Sequence, residues 1–251
     1  MAFDPSVFSA MVGAPQFPIA AAVAAAAGLL RGFAGFGSAM LMAPIFAILF
    51  DATEMVLLVA IMELATSLHL FPQTRRDCRW SLVGPVTIAA CLAMPVGIWI
   101  LFNVDRVAIQ KFVSAAVVIF ALVMLTGWRW RGGRALTPTI VVGAVSGAMM
   151  ATTSVGGPPV ILYLLSGDDP ARIVRANVIA FYFITLTAIC ALVFWFGAAG
   201  WSPFAWAALL LPFMLGGSAI GSRLFRGAHE RVYRNVALAV LAIVGVIGLI
   251  G

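Results

Sequence analysis

The chain has 251 residues, 63% of them hydrophobic and 10% charged, with a mean hydropathy of +1.11. That leaves too little polar surface for a water-soluble globule, so the composition implies a polytopic membrane protein. The net charge of +6 rests on 15 basic residues, 14 of them arginine, spread through short loops; such scatter reads as an orientation signal and argues against a nucleic-acid partner.

The first 30 residues hold no Lys or Arg. They lack the charged start of a cleavable signal, so they are expected to stay in the mature protein. An apolar segment of 34 residues follows at 17–50. As one straight helix it would reach roughly 50 Å, against a hydrocarbon core of about 30 Å. Its centre reads RGFAGFGSAM, with three glycines, and a break is expected between Gly35 and Ser38. The segments 53–71, 82–102 and 107–127 each suit one helical crossing. The next, 138–165, carries TTSVGGPP near its centre. Pro158 and Pro159 remove two backbone donors there, so a second break is expected. Segments at 173–197, 203–225 and 232–251 complete the series.

The halves repeat. GLLRGFAGFGSAM from Gly28 lies on GAMMATTSVGGPP from Gly147 at an offset of 119, which pairs Gly37 with Gly156. After a small insertion, DRVAIQKFV at 105 matches ERVYRNVAL at 230. The expectation is an internal duplication within one membrane domain, with repeats at about 17–128 and 138–251.

Charge orients the repeats. If every apolar segment crossed once, six loop arginines would fall on each side, against the positive-inside rule. If each broken segment enters and returns on one side, 12 arginines, among them Arg75, Arg76, Arg79, Arg172 and Arg175, face the cytoplasm. Only Arg106 and Lys111 then lie outside, and Arg31 is left in the membrane. The expected fold is therefore all-α, two inverted repeats, each a broken helical hairpin followed by three transmembrane helices. Both termini are predicted outside a bacterial inner membrane. Re-entrant hairpins and hairpins that cross twice both fit, since arms of about 13–17 residues reach only roughly 20–25 Å.

Broken helices at mid-membrane expose backbone NH groups that cost several kcal/mol each unless bound. An anion suits them, because a half-helix start aims donors and a positive dipole end at one point. Gly35, Gly37 and Ser38 are expected to form one wall of such a site, and Thr152, Thr153, Ser154, Gly156 and Gly157 the other. The competing reading gives the glycines to helix packing and bonds the hydroxyls back to their own helix. Arg31, some 14 positions inside an apolar segment, is the strongest single candidate, since its planar fork holds two oxygens at once. Glu63, mid-span in AIMELATSLHL, either neutralises Arg31 or exchanges a proton. Arg175 and Asn177, in RIVRANVIAFYF, open the span after the second break and are further binding candidates, and Asn177 and Tyr182 mark a polar stripe within that span that hydrogen bonding between helices explains equally well. His69 reads as interfacial.

Cys78, Cys91 and Cys190 form no CxxC or Cys/His pattern, so no metal site and no cofactor are expected. There is no HExxH, no catalytic Ser/His pattern and no nucleotide loop, which argues against an enzyme. The partners expected are the lipid bilayer, a small anionic substrate and a proton or other coupling ion.

The runs GLLRGFAGFGSAMLMAP, SVGGPPVILYLL and RIVRANVIAFYF resemble the TauE/SafE family of sulfite and organosulfonate exporters, over nearly the whole chain. The first run departs from the commoner triple-glycine form, with Ser38 and Ala39 after Gly37. The resemblance implies secondary transport of a small sulfur-containing anion such as sulfite, sulfoacetate or a related sulfonate. An anion channel and an uptake permease are the alternatives.

Overall fold

The computed structural model describes residues 5–34, 37–126, 135–164, 169–195 and 200–225, and among them it is all-helical. The first half comprises α1 (Pro5–Val12), α2 (Phe17–Ala34), α3 (Ser38–Leu49), α4 (Ala52–Thr74), α5 (Trp80–Asn103) and α6 (Arg106–Leu125). The second comprises α7 (Leu136–Thr153), α8 (Gly157–Leu164), α9 (Ala171–Trp195) and α10 (Ser202–Phe225). Four of these, α5, α7, α9 and α10, contain stretches long and apolar enough to cross a membrane. Their outward faces carry large apolar side chains such as Ile88, Leu92, Trp99, Ile140 and Leu215. With no water to satisfy a backbone in lipid, helices are the form such segments take. The expected span 232–251 lies outside the described residues.

Both expected breaks are present. The first falls before Gly37, whose φ of 95° suits glycine and strains other residues. The second follows α7 at Ser154, a non-glycine held at φ 58°, a conformation that costs an L-residue about 1–2 kcal/mol. Each broken segment folds back on itself. Phe17 at the start of α2 and Phe50 just past α3 both pack on Trp206, with ring centroids 6.4 and 5.2 Å away. Thr139 in the first turn of α7 meets the Tyr163 hydroxyl near the end of α8 at 2.5 Å. The arms are less equal than the sequence suggested, 18 and 12 residues in the first hairpin and 18 and 8 in the second. The breakers sit off-centre, and α7 begins two residues before the apolar segment does.

Small residues bring the hairpins against distant helices. Gly28 and Gly32 of α2 lie on the backbone of Met214 and Ser218 in α10, and Gly217 and Gly221 of α10 lie on Ala25 and Leu29. None of the four has room for a Cβ. The contacts advance in the same direction along both helices, so α2 and α10 are parallel. Gly143 and Gly147 of α7 meet Val86 and Ala90 of α5 in the same way, and Gly97 of α5 meets Ala148. α5 and α7 are therefore also parallel, packed through the close backbone approach that small residues permit.

The central pair, α4 and α9, runs antiparallel. Just past the end of α4, Asp77 binds Arg172 in the first turn of α9. At the opposite end Ser202, which opens α10 after α9, bonds Glu54 in the first turn of α4. The spacing of 119 extends through the helix register: α2 and α7, α3 and α8, and α4 and α9 begin that far apart.

Candidate functional site

Arg31 stands in the last turn of α2, where a cation meets the carbonyl end of the helix dipole, and it is 7% exposed. The bend at Gly37 returns the chain so that Ser38, the first residue of α3, lies beside it. Arg31 Nη1 donates to Ser38 Oγ at 3.3 Å. Facing both is Glu63, halfway along α4 and 1% exposed. Arg31 Nη1 donates to Glu63 Oε2 as an ion pair, and Ser38 Oγ donates to Glu63 Oε1. One turn on, Ser67 Oγ accepts from Arg31 Nη2 at 3.0 Å. Thr66 Oγ1 donates to the Glu63 carbonyl at 2.8 Å.

Because the pair is neutral it can lie among apolar helices, where removing one partner of a buried ion pair costs about 3–5 kcal/mol. One guanidinium nitrogen is left over. Arg31 Nε is buried without a hydrogen-bond partner.

At the second bend the hydroxyls turn to protein carbonyls. Thr152 Oγ1 donates to the Gly97 and Ala148 carbonyls at 3.0 and 2.9 Å. Thr153 Oγ1 donates to the Met149 carbonyl at 2.7 Å and accepts from the Val155 amide at 3.1 Å. Ser154 Oγ donates to the Val56 carbonyl in α4 at 2.8 Å, which ties this bend to the helix that carries Glu63. Gly156 packs on the Ser146 carbonyl, and Gly157 on the hydroxyl of Tyr182 in α9. Tyr182 in turn is close enough to Glu63 and Arg31 to feel both charges.

Asn177 belongs to a second polar station nearer the start of α9. Its Oδ1 accepts from the Arg79 amide at 2.8 Å, and its Nδ2 is buried without a partner. Arg79 also pairs with Asp169 at 2.8 Å, next to the Asp77–Arg172 bonds of 2.5 and 2.8 Å. The Arg172 hydrogen bond holds the Asp77 carboxyl below its ordinary value. Burial pushes the neighbouring Cys78 thiol up to about 11.

Of the residues singled out in the sequence, Arg31, Gly37, Ser38 and Glu63 come together at the first bend. Thr152, Thr153, Ser154, Gly156 and Gly157 form the second, and Asn177 stands apart from both. Gly35 and the side chains of Arg175 and His69 lie outside the described residues. One member of the cluster, Ser67, was not singled out by sequence. Ser67 follows Glu63 by one helical turn, a spacing that puts both on one face. Tyr182, read from sequence as part of a polar stripe with Asn177, lies 119 residues after Glu63, so the repeat offset links the two.

Neither the curated proteins nor the solved structures give a match to the chain. The family profile described as Sulfite exporter TauE/SafE, however, matches residues 20–247, from α2 through both bends and beyond α10. With an all-helical body of apolar, membrane-length helices, that match covers nearly the whole sequence: the chain is a multi-pass membrane protein and belongs to the TauE/SafE sulfite exporter family.

Proposed function

We propose that the chain is a secondary transporter that exports a small sulfur-containing anion, such as sulfite, sulfoacetate or a related sulfonate, by alternating access between two inverted halves. Family membership supplies the transport class and the chemistry of the cargo. The observation that carries the reading is the buried Arg31 at the bend of a broken hairpin, with a free Nε beside hydroxyl-bearing Ser38 and Ser67. Guanidinium and hydroxyl donors are what an oxyanion of sulfur accepts from, and Arg presents two of them in one plane.

Several features support the inverted arrangement. α4 and α9 are antiparallel, the helix register repeats at 119, and the Asp77–Arg172 contact brings two basic segments to one end of the molecule. Placing that end in the cytoplasm satisfies the positive-inside rule. Gly37 and Ser38 then form the first wall of the site. The second half contributes the backbone at Gly156 and Gly157 and the Tyr182 hydroxyl. Thr152, Thr153 and Ser154 shape its bend. Asn177 lines the approach from the cytoplasmic end, where its Nδ2 has no partner. Rocking of one half about the α4–α9 axis would expose the site to each side in turn.

A thermal-shift and tracer screen of the purified protein tests this reading, using sulfite, thiosulfate, sulfate, sulfoacetate, taurine and an aryl sulfonate. Stabilisation by at least one sulfur oxyanion, with saturable flux, is the expected result. Unsaturable flux would indicate a channel, and binding of a cation or neutral solute alone would overturn the anion reading.

A further inference from the structure

We infer that Glu63 is a tethered counter-anion, and that an anion binds to the open edge of Arg31 only as Glu63 takes up a proton. This rests on the transport-site reading above and adds the coupling to it.

Glu63 holds Arg31 by Nη1 alone, on one side of the fork. The other side, formed by Nε and Nη2, meets only Ser67 through Nη2, while Nε is buried and unpartnered. Buried donors in folded proteins are nearly always satisfied, so an orphan on a charged group marks a place for an absent acceptor. The Nε–Nη2 edge is a bidentate seat for two oxygens of one oxyanion. Its occupant would lie beside Ser67.

Charge then dictates the coupling. With Glu63 ionised the cluster of Arg31 and Glu63 is neutral and already buried. Adding a monoanion would leave a net negative charge among apolar helices, far from water, which is strongly disfavoured. A proton taken from solvent by Glu63 restores neutrality: the carboxylate becomes a carboxylic acid, and the guanidinium charge passes to the bound anion. Among the described residues, the charged and titratable groups that face Glu63 are Arg31 from α2 and Tyr182 from α9, with the Ser38 hydroxyl from α3. Ser38 accepts a hydrogen bond from the protonated acid as readily as it donates one to the carboxylate. When the anion leaves, the proton leaves too, and Glu63 resumes its place on Arg31.

Titration calorimetry of the detergent-purified protein tests this. The anions are sulfite and toluenesulfonate, each measured in buffers of different ionisation enthalpy. Toluenesulfonate keeps its charge at every working pH, so any proton exchanged with it belongs to the protein. The wild type is expected to take up about one proton per anion, and its affinity to rise about tenfold for each unit fall in pH while Glu63 is ionised. Glu63→Gln should bind with no proton uptake and a flat pH profile. Binding by the wild type without proton uptake and with pH-independent affinity overturns the inference and leaves the anion site standing. Failure of these two and of every other sulfur oxyanion in the screen above to bind overturns the site reading and the inference with it. The wild-type measurement decides the matter even if the variant does not fold.

Discussion

Glu63 and Tyr182 occupy equivalent positions of α4 and α9, 119 residues apart, and each faces the first residue of a returning hairpin arm, Ser38 for Glu63 and Gly157 for Tyr182. The second half thus keeps the arrangement of the first and replaces its charges: a phenol stands for the carboxylate, and Met150 stands where the first half has Arg31. A Cβ at Gly157 would collide with the Tyr182 hydroxyl. Gly157→Ala is expected to destabilise the protein by about 1–3 kcal/mol, and Tyr182→Phe in the same chain to recover part of that loss. Thermal unfolding of the two single variants and the double variant measures the coupling, and strict additivity would contradict the contact.

The structural role of the ion pair and the transport role proposed for it can be separated. Glu63→Ala leaves Arg31 buried and uncompensated, a loss of about 3–5 kcal/mol. Replacing both residues with Met removes both charges together, and such apolar replacements are often neutral or stabilising. The double variant should therefore melt near the wild-type temperature and carry no anion. Retained flux in that folded variant would show that the pair serves structure alone.

The glycine contacts predict a matched pair of packing defects. Gly28 lies on the backbone of Met214, and Gly147 on that of Ala90. Gly28→Val and Gly147→Val should each destabilise by about 1–3 kcal/mol through overpacking. Melting of the two variants in the same detergent checks this, and a harmless change at either position would contradict the close parallel packing.

At the α4–α9 end, Asp77 is hydrogen-bonded by Arg172, which holds its carboxyl below the ordinary value of 3.8. A lowered folded-state pKa means that the bond contributes above the unfolded value and is lost as pH falls through the folded one. The pair is solvent-exposed, so the effect is small. Wild type and Asp77→Asn should differ slightly in melting temperature at neutral pH and converge in acid below 3.8. A gap that widened on acidification would contradict the assigned partner.

What was legible in the sequence was local. Glycine and proline also stand inside unbroken helices, Pro44 in α3 and Gly97 in α5 among them, so the bends at Gly37 and after Thr153 were legible from the excess length of 17–50 and from the GGPP run rather than from residue type alone, and a buried Arg and Glu in one apolar chain called for each other. The partners that hold the bends were harder to see. Ser154 bonds a carbonyl 98 residues away, and that choice depends on which face of α4 turns inward. The unequal arms and the short α1 were also missed, because hydropathy marks an apolar segment without marking where its helix begins. The parallel packing of α2 on α10 did leave a trace in the spacing of Gly28 and Gly32 and of Gly217 and Gly221, a small-residue pattern of close-packed membrane helices.

Counterflow of a labelled anion in proteoliposomes asks whether Arg31 receives a sulfur oxyanion. Sulfite or the best-bound sulfonate should exchange saturably through the wild type, and Arg31→Lys, which keeps the charge and loses the planar fork, should lower that exchange by about tenfold or more. Wild-type rates in a folded, correctly inserted Arg31→Lys variant would rule out that role for the Arg31 fork.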